Sequence, residues 1–352
     1  MKGFFQLLMG MILSSQLCSA DDCPFLLRTP EETKTFGEMR VRAIRGWDKL
    51  LTWALTPKNK KYILTDPPVT RDFVLESKEI FEFIHNYGYF SIYHPIVGVV
   101  TNEKRDIKVT NCLLASLPSQ IKNPLQLQYS QDEVLAKVLA YRTLEKGMEI
   151  DLGKLSYKVD EVLNLWKGMP AYGLIPKDNS QTPILLFRGT DLSLVSEKGW
   201  ASILSDLDVN GPGHSTFLMA RDKIRKWLLK MQKNPPRLVG YSLGGAFVLF
   251  TLIHEYSLIS KQSLSRAYNP PGVSQEILDK WKELSEEERP PHHTYVNQGD
   301  FVSQLGYFLS DVWEVSLPEP MGVIESHVTL ISAEPEFTLS EVNVSEENAS
   351  RR

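Results

Sequence analysis

The chain has 352 residues, 42% of them hydrophobic, with 39 basic and 43 acidic side chains and a net charge of −4. That length suits one large domain with an appendage, or two domains, and supplies ample apolar material for a core. The slight acidity excludes an electrostatic nucleic-acid binder, and the cysteines are too few for a metal site.

Residues 1–20 hold one early lysine, a short apolar run, and small residues at Cys18 and Ala20. This is the pattern of a secretory signal peptide cleaved after Ala20, and the run is too short to span a bilayer comfortably. The expectation is therefore an exported protein, secreted or periplasmic. Two cysteines, Cys23 and Cys112, stay in the mature chain, as a disulfide or as two buried thiols.

Residues 21–127 read as a mainly helical accessory region without a catalytic signature. Apolar positions near helical spacing predict helices over residues 38–55 and 74–89. The aromatic cluster of Phe81, Phe83, Tyr87, Tyr89, Phe90 and Tyr93 reads as core.

The pattern changes over residues 128–333. Residues 131–144 predict an amphipathic helix with Ser130 as its N-cap, and residues 159–166 predict another. Strands follow at residues 171–175 and 184–187, then a helix at 216–231. After these come a strand at 237–239, an apolar helix from Ala246, a strand at 266–268, a helix at 275–284 and a strand at 293–297. Such alternation implies an α/β fold, a mostly parallel sheet with helices on both faces and its chemistry at the carboxyl ends of the strands. Residues 334–352 read as a loose, acidic, polar tail.

The most informative stretch is Arg237-Leu238-Val239-Gly240-Tyr241-Ser242-Leu243-Gly244-Gly245. It joins a short strand, a Gly-x-Ser-x-Gly turn and an apolar helix, the pattern of a nucleophile elbow that lifts a serine hydroxyl above a sheet. The helix begins beside the serine, so the Leu243 N–H is placed to stabilise an oxyanion.

A serine nucleophile needs a base, and the base needs an acid to orient it. In the α/β-hydrolase chain order the acid follows the serine and the histidine comes last. Of the seven histidines only His327 lies far enough downstream. His292 and His293 look like surface or strand-entry residues, and His254 lies in the elbow helix. Asp300 directly follows a strand and should reach the same end of the sheet as Ser242; Asp311 is held in reserve, and Asp279 falls on a solvent-facing helix. A second oxyanion donor is expected at Thr190, in the turn Arg188-Gly189-Thr190-Asp191 that ends another strand, where Arg188 reads as a structural support.

Together these pieces resemble the class 3 lipase family, the fungal-lipase-like α/β-hydrolases. The resemblance rests on Phe187-Arg188-Gly189-Thr190, Trp200 with Asp206-Leu207, Gly213-His214-Ser215-Thr216-Phe217 and Gly240-Tyr241-Ser242-Leu243-Gly244-Gly245. It continues through Tyr268-Asn269-Pro270-Pro271-Gly272-Val273 and Val296-Asn297-Gln298-Gly299-Asp300-Phe301-Val302. It spans roughly residues 130–330, and Tyr241 stands where the family usually has histidine. The resemblance implies acyl-ester hydrolysis by Ser242, Asp300 and His327, with Thr190 and Leu243 as the oxyanion hole and with no metal or organic cofactor. It also implies a lid over residues 191–211, whose apolar side chains would cover an acyl pocket or meet a lipid surface, the alternative for these residues being a buried helix that does not move. The partner expected is then a lipid or other acyl ester, with transient membrane contact. Alternatives are a thioesterase or peptidase with the same triad, and an exported binding protein that keeps the fold without the chemistry.

Overall fold

The computed structural model describes residues 121–350, apart from residues 143, 152–155, 167–168, 179–180, 190–210, 301, 319–325, 328 and 334–335. The expected leader, the accessory helices with their aromatic cluster, and Cys23 and Cys112 lie outside the described residues, as do Thr190, Trp200 and Asp206.

A nine-stranded sheet organises this part of the chain, its strands lying side by side in chain order. They are β1 (Glu149–Asp151), β2 (Ser156–Trp166), β3 (Met169–Pro176), β4 (Ile184–Phe187), β5 (Arg237–Tyr241), β6 (Ser265–Tyr268), β7 (His292–Asn297), β8 (Val312–Ser316) and β9 (Thr338–Val342). Strands β4 to β8 are parallel, and the flanking pairs at both ends are antiparallel. The expected α/β architecture is therefore present, with its parallel centre carrying the elbow.

The helices with described bounds that accompany the sheet are α1 (Pro124–Lys137), α2 (His214–Lys230), α3 (Leu243–His254), α4 (Gln275–Glu283) and α5 (Val344–Ser350). Right-handed crossovers between strands that advance in one direction put their helices on one face. Accordingly α2, α3 and α4 pack on the face lined by Leu185, Phe187, Leu238 and Ala267. The opposite face, lined by Ile184, Leu186, Val239, Tyr241 and Tyr268, must be closed from outside that repeat. Helix α1 does this with Tyr129, Val134, Leu135 and Ala136. The period-two alternation along β4 and β5 thus divides one apolar set between two cores.

Four local expectations are corrected. Helix α1 starts earlier than expected: Asn123 is the N-cap, its Oδ1 accepting from the Leu125 and Gln126 amides at 2.9 and 3.4 Å, while Ser130 is buried mid-helix. Residues 159–166 are strand β2, not helix. A register shift between Val159 and Glu161 moves the odd positions from one core, with Tyr157 and Val159, to the other, with Leu163 and Leu165. That bulge spaces the apolar residues so that they imitate a helical stripe. His292 does enter a strand, but it is buried against Trp281 rather than surface-exposed. Lastly, the tail is not loose. Residues of β9 pair along β8, Phe337 packs on Tyr129 at 5.2 Å, and Asn348 brackets the Phe308 backbone with hydrogen bonds of 3.0 and 2.9 Å. A few apolar anchors inside an acidic composition are enough to extend an antiparallel edge.

Candidate active site

Strand β5 delivers the chain to Ser242, and α3 begins at the next residue. Ser242 has φ 55° and ψ −126°, a conformation L-residues rarely adopt and one that persists only when its surroundings impose it. Two glycines make the turn sterically feasible. A Cβ on Gly240 would lie 2.3 Å from the Gly244 carbonyl oxygen, and one on Gly244 would lie 2.6 Å from the Phe187 carbonyl oxygen. The Ser242 amide donates to the Tyr268 carbonyl at 2.9 Å, which ties the elbow to β6. Leu243 opens α3, so its N–H stands ahead of the helical hydrogen-bond ladder.

The three expected residues meet. The Ser242 Oγ lies 3.0 Å from His327 Nε2, and His327 Nδ1 lies 3.0 and 3.1 Å from the two Asp300 carboxylate oxygens. Asp300 follows β7, so its side chain is delivered to the same end of the sheet as the elbow. Its carboxylate is fully buried and also accepts from the Val302 amide at 3.0 Å and the Ser303 hydroxyl at 2.7 Å. These donors hold it in one orientation toward the imidazole. Asp311, held in reserve, precedes β8, at the opposite end of the parallel strands. Its backbone carbonyl accepts from the Thr294 amide of β7 at 3.0 Å. Asp279 is on α4, where its carboxylate accepts from Gln275 at 2.8 Å.

The His327 segment is held through its backbone. Tyr241 donates its hydroxyl to the His327 carbonyl at 2.9 Å, and Asn269 Nδ2 donates to the Ser326 and His327 carbonyls at 3.2 and 3.0 Å. Asn297 Nδ2 adds a 2.6 Å bond to the Ser326 carbonyl. The donors come from the ends of β5, β6 and β7. From the other side, α1 reaches the residues just beyond. Lys137 donates to the Thr329 carbonyl at 2.7 Å, and Glu133 accepts from the Ile331 and Ser332 amides at 3.0 and 2.7 Å. Glu133 and Lys137 are themselves a buried ion pair at 2.8 Å, and the Lys137 ammonium sits 5.1 Å from the Tyr241 ring centroid.

Of the proposed oxyanion donors, Leu243 is the first residue of α3, while Thr190 lies outside the described residues. The preceding Gly189 is described. A Cβ there would lie 2.6 Å from the Tyr241 carbonyl and 3.4 Å from Ser242 Cβ, so this turn abuts the elbow. The Arg188 guanidinium lies over the Tyr141 ring at 5.2 Å, in keeping with a supporting part. Sequence reading missed Asn269, Asn297, Glu133 and Lys137. A polar amide side chain at the carboxyl end of a parallel strand was the available signal for the first two.

No family model matches the chain, and no curated protein matches its sequence. Similar solved structures include a fungal lipase at 15% identity and TM-score 0.44, covering 65% of this chain and 91% of that one. A mutant of MDLA from Penicillium cyclopium shares 16% identity at TM-score 0.44, covering 65% and 92%. A triacylglycerol lipase from Penicillium expansum shares 12% at TM-score 0.37, covering 68% and 89%.

Proposed function

We propose that this protein is an exported serine hydrolase of acyl esters, lipid esters foremost, acting through an acyl-enzyme on Ser242. The observation that carries this reading is the unbroken hydrogen-bonded series Ser242–His327–Asp300, with the serine in a strained elbow. In the first half-reaction His327 Nε2 takes the hydroxyl proton as Oγ adds to the ester carbonyl carbon. Asp300, hydrogen-bonded to Nδ1, fixes the tautomer that leaves Nε2 free to accept, and it stabilises the imidazolium that forms. The Leu243 N–H, with a donor from Thr190, receives the charge that develops on the carbonyl oxygen; each such donor is typically worth ~2.7–4 kcal/mol. Collapse expels the alcohol, which takes the proton from Nε2. Water, deprotonated by the same nitrogen, then releases the carboxylic acid and restores the hydroxyl.

The test is labelling by a fluorophosphonate probe, with turnover measured over a panel of acyl esters presented as monomers and as aggregates. The wild-type protein should label and hydrolyse, and Ser242→Ala should abolish labelling and reduce turnover ~10⁶-fold. Absence of labelling in the wild type favours the binding-protein alternative. A jump in rate at the onset of aggregation supports a lid over residues 191–211, and a smooth hyperbola through that point rules it out.

A further inference from the structure

Asn269 invites a simple explanation. It follows β6 with φ 46°, and asparagine tolerates this left-handed region better than most residues. Its side chain does more than tolerate a turn. The amide nitrogen donates to two successive carbonyls, Ser326 at 3.2 Å and His327 at 3.0 Å, while Oδ1 accepts the Asn297 amide at 3.1 Å. With carbonyls on one side and an N–H on the other, the surroundings dictate which end is nitrogen. Its own N–H donates to the Tyr295 carbonyl at 2.7 Å, so the residue is fixed to β7 at both backbone and side chain. It is 1% exposed, away from competing water.

The residue before it completes the arrangement. The Tyr268 carbonyl accepts the Ser242 amide at 2.9 Å. One dipeptide at the end of β6 therefore grips the backbone of the serine with its first residue and the backbone of the histidine with its second. These grips span the 3.0 Å gap between Oγ and Nε2. The His327 backbone carbonyl takes both the Asn269 and the Tyr241 donations, so its position depends on such grips.

We propose that Asn269 is a positioning residue that sets the Ser242–His327 separation by holding the His327 backbone. The inference rests on the triad reading above and deepens it. A misplacement on the order of 1 Å costs ~10²-fold in rate, and the loss falls on proton transfer rather than on substrate binding.

The decisive variant is Asn269→Gly. Glycine is the best residue for a left-handed turn, so if asparagine is present only for its φ, Asn269→Gly retains the wild-type kcat. If the side-chain grip matters, Asn269→Gly folds with a lowered melting temperature, because its buried partners lose their bonds, keeps its KM and loses kcat by ~10²-fold. Asn269→Asp is the companion: it keeps an acceptor for the Asn297 amide, loses both donations to the loop, and should show the same split. A wild-type kcat in either folded variant overturns the proposal, and so does failure of both variants to fold, which would assign the residue to the fold. The triad reading fails separately, through a wild-type protein that does not label with fluorophosphonate or a Ser242→Ala variant that still turns over.

Discussion

At the scale of single residues, the site assigns one task to each atom. Asp300 uses both carboxylate oxygens on His327 Nδ1 and anchors itself with Val302 and Ser303. In Asp300→Asn those anchors keep the side chain in place, but the amide can present a donor to Nδ1 and favour the wrong tautomer. The expected result is a fall in kcat of ~10⁴-fold with little change in melting temperature, the cost of the equivalent change in a serine protease. Steady-state kinetics with a soluble ester, beside a thermal melt, checks it; a loss under tenfold would deny Asp300 its orienting part. Ser242, Asp300 and His327 were legible because the chemistry dictates both residue type and chain order. Asn269, Asn297 and Tyr241 were not, because what they hold are carbonyls, and every residue carries one.

At the scale of elements, the helix that closes the second face of the sheet also anchors the histidine segment. Helix α1 buries Glu133 and Lys137 on its inner side, with side-chain exposures of 0% and 1%. Together they bind one carbonyl and two amides in residues 329–332. In Lys137→Met the Glu133 carboxylate stays buried with its neutral donors but without its counter-charge. Breaking such a pair costs about 3–5 kcal/mol. Denaturant unfolding should read that loss as a lower midpoint at unchanged slope, and a change below 1 kcal/mol would mean that water already screens the pair. The parallel strands β4 to β7 and their helices were readable because apolar runs and turn residues mark them, whereas β8 was not read as a strand. Strand β2 was misread because its bulge mimics helical spacing, and β9 because its pairing with β8 comes from a distant partner rather than from its own composition. Long-range pairing overrides local pattern in both cases.

At the scale of the whole molecule, the two ends of the central strands do different work. The carboxyl ends of β5, β6 and β7 carry the triad and its supports. Near their amino ends the Asp132 carboxylate from α1 accepts from Arg237 at 2.6 and 2.8 Å and is also bonded to Arg266. Burial raises the affinity of Asp132 for a proton, but the two guanidinium charges outweigh it and hold the carboxyl below the usual range. Besides His292, which burial shifts down against the opposing Asp311 charge, two further histidines are shifted in the direction that resists charging. Burial, then the Arg221 charge, lowers His254 to about 4, and burial, then the Arg266 charge, lowers His293 to about 4. The signs combine in one direction. Between an unfolded-chain value of about 6.5 and a folded value of about 4, the unfolded state binds protons that these histidines refuse when folded. Stability is therefore full above that window and declines as pH falls through it. Asp132 adds a second decline, beginning near its unfolded value of about 3.9 and continuing below it as the carboxylate is protonated in the fold. Melting temperatures measured from pH 7 downward should fall first between about 6.5 and 4, and more steeply beneath. His254→Phe should flatten part of the first segment, and Arg266→Met should lower the whole curve while flattening the second. A melting temperature unchanged from pH 7 to 4.5 would show that both imidazoles accept protons within the fold, with water or a carboxylate reaching each ring.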